Sequence, residues 1–406
     1  MSEKVKLTII GGGVIGCALA YQLSQKYDEI FVIEKNDKIK AENQSSRNSG
    51  VIHAGVYYPK DIGALKGQLC IEGNKLLYEF CEEFDVPHKK VGKLIVATNE
   101  QELEYLKDSF DIAVDRGVPG AKKITPQEAQ KIEPNISCIQ AAYFPTSGVV
   151  EPTSLVYKLY SLAAQNGVFF LTGTKVIDIK PKEKSFEVIT ESRGNKEAFE
   201  TELLINAAGL YSDEIAKIIN PDFPYTIKPI RGEAVKFYKS KRPELFHAGM
   251  NVYPVPFPIY PSGERANVPF KEFKKLFQQE EVLKTVGIHL TPTFDFLDGT
   301  YKIGNVVTIG PAPKGVIDKE DYSKDLFPEE YFLKHIQDIF PGLKLEDVSL
   351  HQAGVQAKLQ QKYDFVIERE TKYPNCFNLV GIDSPGLTAC LSIAKHVNEM
   401  LKENLS

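Results

Sequence analysis

The stretch Lys4-Val5-Lys6-Leu7-Thr8-Ile9-Ile10-Gly11-Gly12-Gly13-Val14-Ile15-Gly16-Cys17-Ala18-Leu19-Ala20 decides the fold. Its apolar run predicts a buried strand that passes through a glycine turn straight into an Ala/Leu-rich helix. Gly11, Gly13 and Gly16 form Gly-x-Gly-x-x-Gly: the first permits the tight turn, the second lets backbone N–H groups approach a pyrophosphate, and the third lets helix and strand pack closely. A second strand, Ile30-Phe31-Val32-Ile33, ends at Glu34, where a carboxylate can accept hydrogen bonds from an adenosine ribose. The strand before the turn and the helix after it argue against a glycine turn that binds nothing.

Working outward, 406 residues exceed what one hydrophobic core usually organises, so two domains are expected. Hydrophobic residues at 43% and charged residues at 25% fit a soluble globular chain, and a net charge of -5 gives no sign of a general nucleic-acid binder. An acidic chain that takes an acidic substrate must concentrate its cations locally. The six cysteines are scattered without a C-x-x-C pair, so reduced buried thiols are expected and neither a metal site nor a disulfide framework is. The first strand begins almost at Met1 and no apolar run reaches transmembrane length, so a cytoplasmic location is expected.

After Glu34 the polar stretch Gln44-Ser45-Ser46-Arg47-Asn48-Ser49-Gly50-Val51-Ile52-His53-Ala54-Gly55-Val56-Tyr57-Tyr58-Pro59 places small hydrogen-bonding residues around one arginine. Such a loop suits an anionic cofactor, and its glycines let a flat ring lie against backbone. Asn48 to Tyr58 resembles the signature of L-2-hydroxyglutarate dehydrogenases and oxidases, a group within the D-amino-acid-oxidase-like (DAO) family of FAD-dependent oxidoreductases. The resemblance implies FAD rather than NAD. It implies a Rossmann-like, glutathione-reductase-type α/β domain for that cofactor and a second mixed α+β domain with a largely antiparallel sheet for the substrate. On it, FAD contacts fall to Gly11, Gly13, Val14, Ile15, Gly16, Glu34 and Lys35, and to Ser45, Ser46, Arg47, Asn48, Ser49, Gly50 and Val51.

Downstream, Leu65–Asp85 has the spacing of a surface helix, Val91–Thr98 reads as a strand, Glu100–Gly117 as a helix, and Pro152 opens another helix through Ala164. Three strand-like runs lead to Leu203-Leu204-Ile205-Asn206-Ala207-Ala208-Gly209, where small residues at a strand end let a second backbone segment reach the cofactor. This resembles the family's second FAD motif, which implies Val176, Ala208 and Gly209 as contacts. From Ile227 prolines and aromatics rise and short strands, including Val286–Leu290, alternate like an antiparallel sheet. The chain therefore divides into 1–85, 143–226 and 350–406 for the cofactor, and 86–142 and 227–349 for the substrate. Residues 257–284 exceed the family pattern; Phe270, Phe273, Leu276 and Phe277 share a helical face among lysines, which fits a lid over the active site or a basic amphipathic helix on a membrane or partner. Finally Gly381-Ile382-Asp383-Ser384-Pro385-Gly386-Leu387-Thr388 resembles the family's terminal motif. It starts a helix whose free N–H groups favour negative charge, and the resemblance adds Ser384, Pro385, Gly386, Leu387 and Thr388 to the cofactor contacts.

Oxidising a secondary alcohol needs a base for the hydroxyl proton, an acceptor for the carbon-bound hydrogen, and charge neutralisation. His53 is the candidate base; hydrogen bonding to the flavin or a covalent flavin link are the alternatives. The resemblance adds Tyr253 and His289 on the substrate side, although His289 also fits a sheet residue. L-2-Hydroxyglutarate is a dianion, yet Gln356 stands where the family commonly has Arg, which shifts the demand to Lys358 or Arg231. Arg231 fits an ion pair with Glu233 equally well. The reading is oxidation of a 2-hydroxy acid, L-2-hydroxyglutarate to 2-oxoglutarate, with oxygen, a quinone or a partner protein as electron acceptor. Glycerol 3-phosphate oxidation, amine or amino-acid oxidation, and an FAD-binding subunit of an electron-transfer complex are the alternatives.

Overall fold

The computed structural model describes residues 4–39, 43–245, 247–260, 264–279, 281–360 and 362–402. The strand Lys4–Ile10 sits at the centre of the first sheet, parallel to Ile30–Ile33 on one side and to Asn195–Asn206 on the other. Phe169–Leu171 extends the parallel set beyond Ile30–Ile33, and Cys376–Val380 runs parallel to the end of Asn195–Asn206. Continuous apolar runs such as Ile30-Phe31-Val32-Ile33 form these strands because both faces are covered. Helices Val14–Leu23, Ala64–Glu83, Pro152–Gln165 and Gly386–Lys402 share one core with them, built from residues such as Leu7, Ala18, Leu77, Leu159 and Ile393. The crossover returns the chain so that the glycine turn lies at the carboxyl ends of the parallel strands, where this architecture binds ligands.

The second sheet has eight strands, all antiparallel except where Asn251–Pro254 runs parallel to Lys93–Ala97. One edge strand, Val348–Leu359, crosses the expected boundary at residue 350: its backbone pairs with Ile227–Phe237, so most of it belongs to the second sheet rather than to the cofactor domain. The strand expected over Val286–Leu290 is also divided. Gly287 adopts φ +73°, and a side chain there would meet Pro254 Cγ at 2.5 Å. The chain therefore turns at Gly287, leaving Leu283–Thr285 paired with Phe257–Ile259 and His289–Leu297 in the large sheet. The expected helices appear as Ala64–Glu83, Glu102–Asp115 and Pro152–Gln165, within about two residues of their expected ends.

Part of the 257–284 segment, residues 261–263 and 280, lies outside the described residues. Its helix Phe270–Gln278 turns aromatic residues inward: Phe270 and Phe273 pack on Tyr105 with ring centroids 5.0 and 5.6 Å away. Arg265 pairs with Glu102 at 2.7 Å, and Lys284 and Lys274 approach Asp108 at 3.6 and 3.8 Å. The apolar cluster holding Phe273 also holds Tyr57, Tyr58 and Tyr253. Among the described residues no helix is long and apolar enough to cross a membrane.

Candidate active site

The glycine turn has the geometry that its spacing predicts. Gly11 takes φ +108°, and a Cβ there would lie 2.4 Å from the Ala207 carbonyl oxygen, so the Ala207-Ala208 strand end is pressed against it. A Cβ on Gly16 would lie 1.8 Å from the Gly11 carbonyl oxygen, whereas one on Gly13 would meet only the Ser45 hydroxyl, at 3.2 Å. Gly13 caps the helix Val14–Leu23 without a side-chain hydrogen bond, which leaves the start of that helix suited to an anion. Val14 N–H donates to Ser45 Oγ at 2.9 Å, tying the second polar loop to the same helix start. Glu34 is buried; its carboxylate accepts from the backbone N–H groups of Gly12 at 2.7 Å and Asn36 at 2.9 Å. Each of its oxygens keeps a further lone pair for a ribose hydroxyl.

The polar loop is stitched together by its own amides. Asn43 Oδ1 accepts from Ser45 N–H, the Ser46 hydroxyl donates to the Asn43 carbonyl, and Asn48 donates to the Ser45 carbonyl while accepting from Gly50 N–H. The Arg47 guanidinium lies 4.2 Å over the Tyr322 ring, and its buried Nε has no hydrogen-bond partner among the described residues. The edge strand Val348–Leu359 docks against this loop: Gln44 accepts from Val355 N–H at 2.6 Å, and a Cβ on Gly354 would strike the Arg47 carbonyl oxygen at 2.1 Å. Gly209, next to Ala208, has φ +56° with open space on its missing side chain, and Val176 is buried in the outer hairpin of the first sheet. Lys35 pairs with Glu320 and lies over Tyr211, at the outer side of the same region. A helix N-terminus crossed by the small Ser45 hydroxyl, glycines where a side chain would fill the turn, and a buried arginine nitrogen fit an FAD pyrophosphate.

His53 lies between two helices. Its N–H donates to Thr388 Oγ1 at 3.0 Å, in the first turn of Gly386–Lys402, and its carbonyl accepts from Asn74 Nδ2 at 2.9 Å, on Ala64–Glu83. The imidazole Nε2 faces Ser384 Oγ at 3.3 Å, and the buried Nδ1 has no partner among the described residues. Burial pushes the imidazole pKa well below its usual value, with further lowering from Lys93 and His289. His53 is therefore neutral at physiological pH. The Ser384-Pro385-Gly386 turn is held by Lys66, whose ammonium pairs with Asp383 at 2.6 Å, both largely buried.

The substrate-side residues separate. Tyr253 and His289 stack with centroids 3.6 Å apart. His289 Nδ1 lies 3.0 Å from the Gly287 carbonyl, an acceptor only, so Nδ1 carries the proton and Nε2 has a lone pair. Burial lowers His289 to about 3, and the resulting neutral ring cannot donate from Nε2 to a carboxylate. His289 therefore fits the sheet residue that its sequence also allowed better than a donor to the substrate. Arg231 is fully buried and committed to Glu233 at 2.7 Å and Asp321 at 2.8 Å, the ion-pair alternative that its sequence also allowed. Gln356 and Lys358 lie two apart on the edge strand and so share a face; burial lowers the Lys358 pKa while Asp383 opposes the shift.

One residue escaped the sequence reading. Lys93 opens a strand that is buried throughout, and among the described residues its ammonium has no hydrogen-bond partner. It lies 3.8 Å from the centroid of the Tyr253 ring and 5.1 Å from that of Tyr57. Its signal was a single lysine in the apolar run Lys93-Leu94-Ile95-Val96-Ala97, on the same strand face as Ile95 and Ala97.

A doubly wound dinucleotide domain whose glycine turn is tied to a polar loop, with that loop meeting the terminal helix at one neutral histidine, defines a flavin-dependent oxidoreductase. The chain belongs to the DAO family of FAD dependent oxidoreductases, whose model matches residues 6–400, and FAD is its cofactor. It is 30% identical to a mitochondrial L-2-hydroxyglutarate dehydrogenase of Arabidopsis thaliana, over 98% of this chain and 84% of that protein. It is 29% identical to a glycerol 3-phosphate dehydrogenase of Caloramator mitchellensis, over 98% of this chain and 73% of the relative. A solved structure of dithionite-reduced L-alpha-glycerophosphate oxidase from Mycoplasma pneumoniae, with FAD bound, superposes with a TM-score of 0.81 at 25% identity, covering 98% of this chain and 95% of that one.

Proposed function

We propose that this chain oxidises L-2-hydroxyglutarate to 2-oxoglutarate, with His53 accepting the proton of the substrate hydroxyl. The observation that carries the reading is His53 itself: its backbone is fixed by Thr388 and Asn74 at the meeting point of the FAD loop and the terminal helix, and its neutral imidazole faces Ser384. Bound FAD supplies the acceptor for the hydrogen that leaves carbon 2 with its electron pair. A very low pKa makes a weak base, but the negative charge of a bound carboxylate raises an adjacent imidazole and restores basicity when substrate is present. Gln356 and Lys358 face the far carboxylate, the amide as donor and the ammonium as charge. Relatives named L-2-hydroxyglutarate dehydrogenase support the substrate.

Glycerol 3-phosphate is the second reading, favoured by the Caloramator relative and the Mycoplasma structure. The two separate when flavin bleaching is followed anaerobically with each compound. Rapid bleaching by L-2-hydroxyglutarate is expected; an oxidised flavin with that compound and a bleached one with glycerol 3-phosphate would reverse the assignment. His53→Ala is expected to slow bleaching at least about 100-fold, the usual scale of a lost general base, and an unchanged rate would remove the base from His53.

A further inference from the structure

Lys93 is fully buried, and among the described residues its surroundings hold no carboxylate: Tyr57 and His53 face it from the polar loop, Cys70 from helix Ala64–Glu83, Tyr253 and His289 from neighbouring strands. An ammonium removed from water without a counter-charge is costly, and an aromatic face recovers only part of that cost. The hydroxyl of Tyr57, also buried and unpartnered, is a neutral donor in the same place. A cation and a donor thus stand beside His53 with no anion of the protein's own to satisfy them.

We propose that Lys93 and Tyr57 hold the substrate's oxyanion group next to His53. The inference deepens the reading given above and rests on it for the position of the reacting carbon, but the chemistry it demands is only that of a small oxyanion. It also answers the substitution at Gln356: beside Lys358 on the edge strand, a second cation is supplied from the floor of the second sheet. The surrounding groups keep one protonation state near neutrality, since burial raises Tyr57 and Tyr253, takes Cys70 up to about 12, lowers His53 and takes His289 down to about 3. Lys93, brought down by burial to about 7, is the member of this group that changes charge there.

The test uses FAD-loaded protein, with oxalate and inorganic phosphate as non-reacting anions titrated by their perturbation of the flavin spectrum. For the wild type, oxalate affinity should fall by up to about tenfold per pH unit above neutrality, as the ammonium loses its proton. Lys93→Met should weaken binding at about pH 6.5 by roughly 30-fold, the scale of one charge-assisted hydrogen bond, and abolish the pH dependence. Lys93→Arg, which stays charged, should keep binding at about pH 9 and so tests the idea even if the methionine variant folds poorly. Tighter phosphate than oxalate binding, still dependent on Lys93, supports the cation and redirects the substrate toward a phosphate ester. Wild-type affinity and pH dependence in Lys93→Met would overturn the inference, whatever L-2-hydroxyglutarate does to the flavin. Failure of that compound to bleach wild-type flavin, with the anion titration intact, would instead overturn the substrate assignment alone.

Discussion

Two glycines of one turn should respond differently to the same added methyl group. At Gly16 the new Cβ would sit 1.8 Å from the Gly11 carbonyl oxygen, a backbone atom fixed by the central strand, so helix and strand must separate. At Gly13 the nearest atom would be the Ser45 hydroxyl at 3.2 Å, which a small rotation relieves. Overpacking of the first kind costs about 1–3 kcal/mol or more. For a chain of 406 residues unfolding as a unit, each kcal/mol corresponds to roughly 1 °C in Tm, so Gly16→Ala should lower the Tm of FAD-free protein by about 1–4 °C. Gly13→Ala should leave that Tm within about 1 °C, because its side chain enters space meant for the pyrophosphate rather than for protein. FAD affinity should fall in both variants, measured by quenching of flavin fluorescence on titration. The informative quantity is the contrast in FAD-free stability. Equal losses, or a larger loss at Gly13, would refute the assignment of helix packing to Gly16 and cofactor approach to Gly13.

Removing Lys66 by Lys66→Met leaves Asp383 buried and unpaired, so stability should fall by about 3–5 kcal/mol in denaturant unfolding, and Lys66→Met with Asp383→Leu should recover much of it. A harmless single variant would show that the pair is solvated. Lys93 in the anion-free protein should behave in the opposite sense. Burial takes its folded pKa down to about 7, below the usual lysine value of about 10.4, so its destabilising charge is fully present below about pH 7 and fades as pH rises toward the unfolded value. Lys93→Met should therefore be more stable than wild type near pH 6.5 and lose that advantage by about pH 10 in thermal unfolding; a constant difference would contradict the burial of a lone charge. Phe273→Ala should cost about 3 kcal/mol because the ring packs against Tyr105, without changing sedimentation with anionic vesicles. Lost vesicle binding at unchanged stability would make the helix an anchor.

The cofactor half was legible because its geometry is local. Gly11 and Gly16 are required by backbone contacts within six residues of chain and by Ala207, and the apolar runs around them can form only doubly covered strands. The substrate half depends on which distant strands meet. Periodicity identified the strands holding Lys93, Tyr253 and His289, but not that they meet, since Tyr253 and His289 lie 160 and more residues from Lys93 in sequence. Arg231 shows the reverse: a promising cation by residue type, spent on Glu233 of its own strand and on Asp321, 90 residues further along the chain. The split at Gly287 was invisible for the same reason, since the obstacle is Pro254 on another strand.

The edge strand Val348–Leu359 carries Gly354, where no side chain fits against the Arg47 backbone, two positions before Gln356. Divergence in this protein is therefore channelled. Under the proposed function, exchanging the amide at 356 for a guanidinium would alter what is oxidised, while its neighbour on the same face is locked against the Arg47 backbone. A lineage exploring new substrates along this strand would lose its cofactor by stepping one pleat too far.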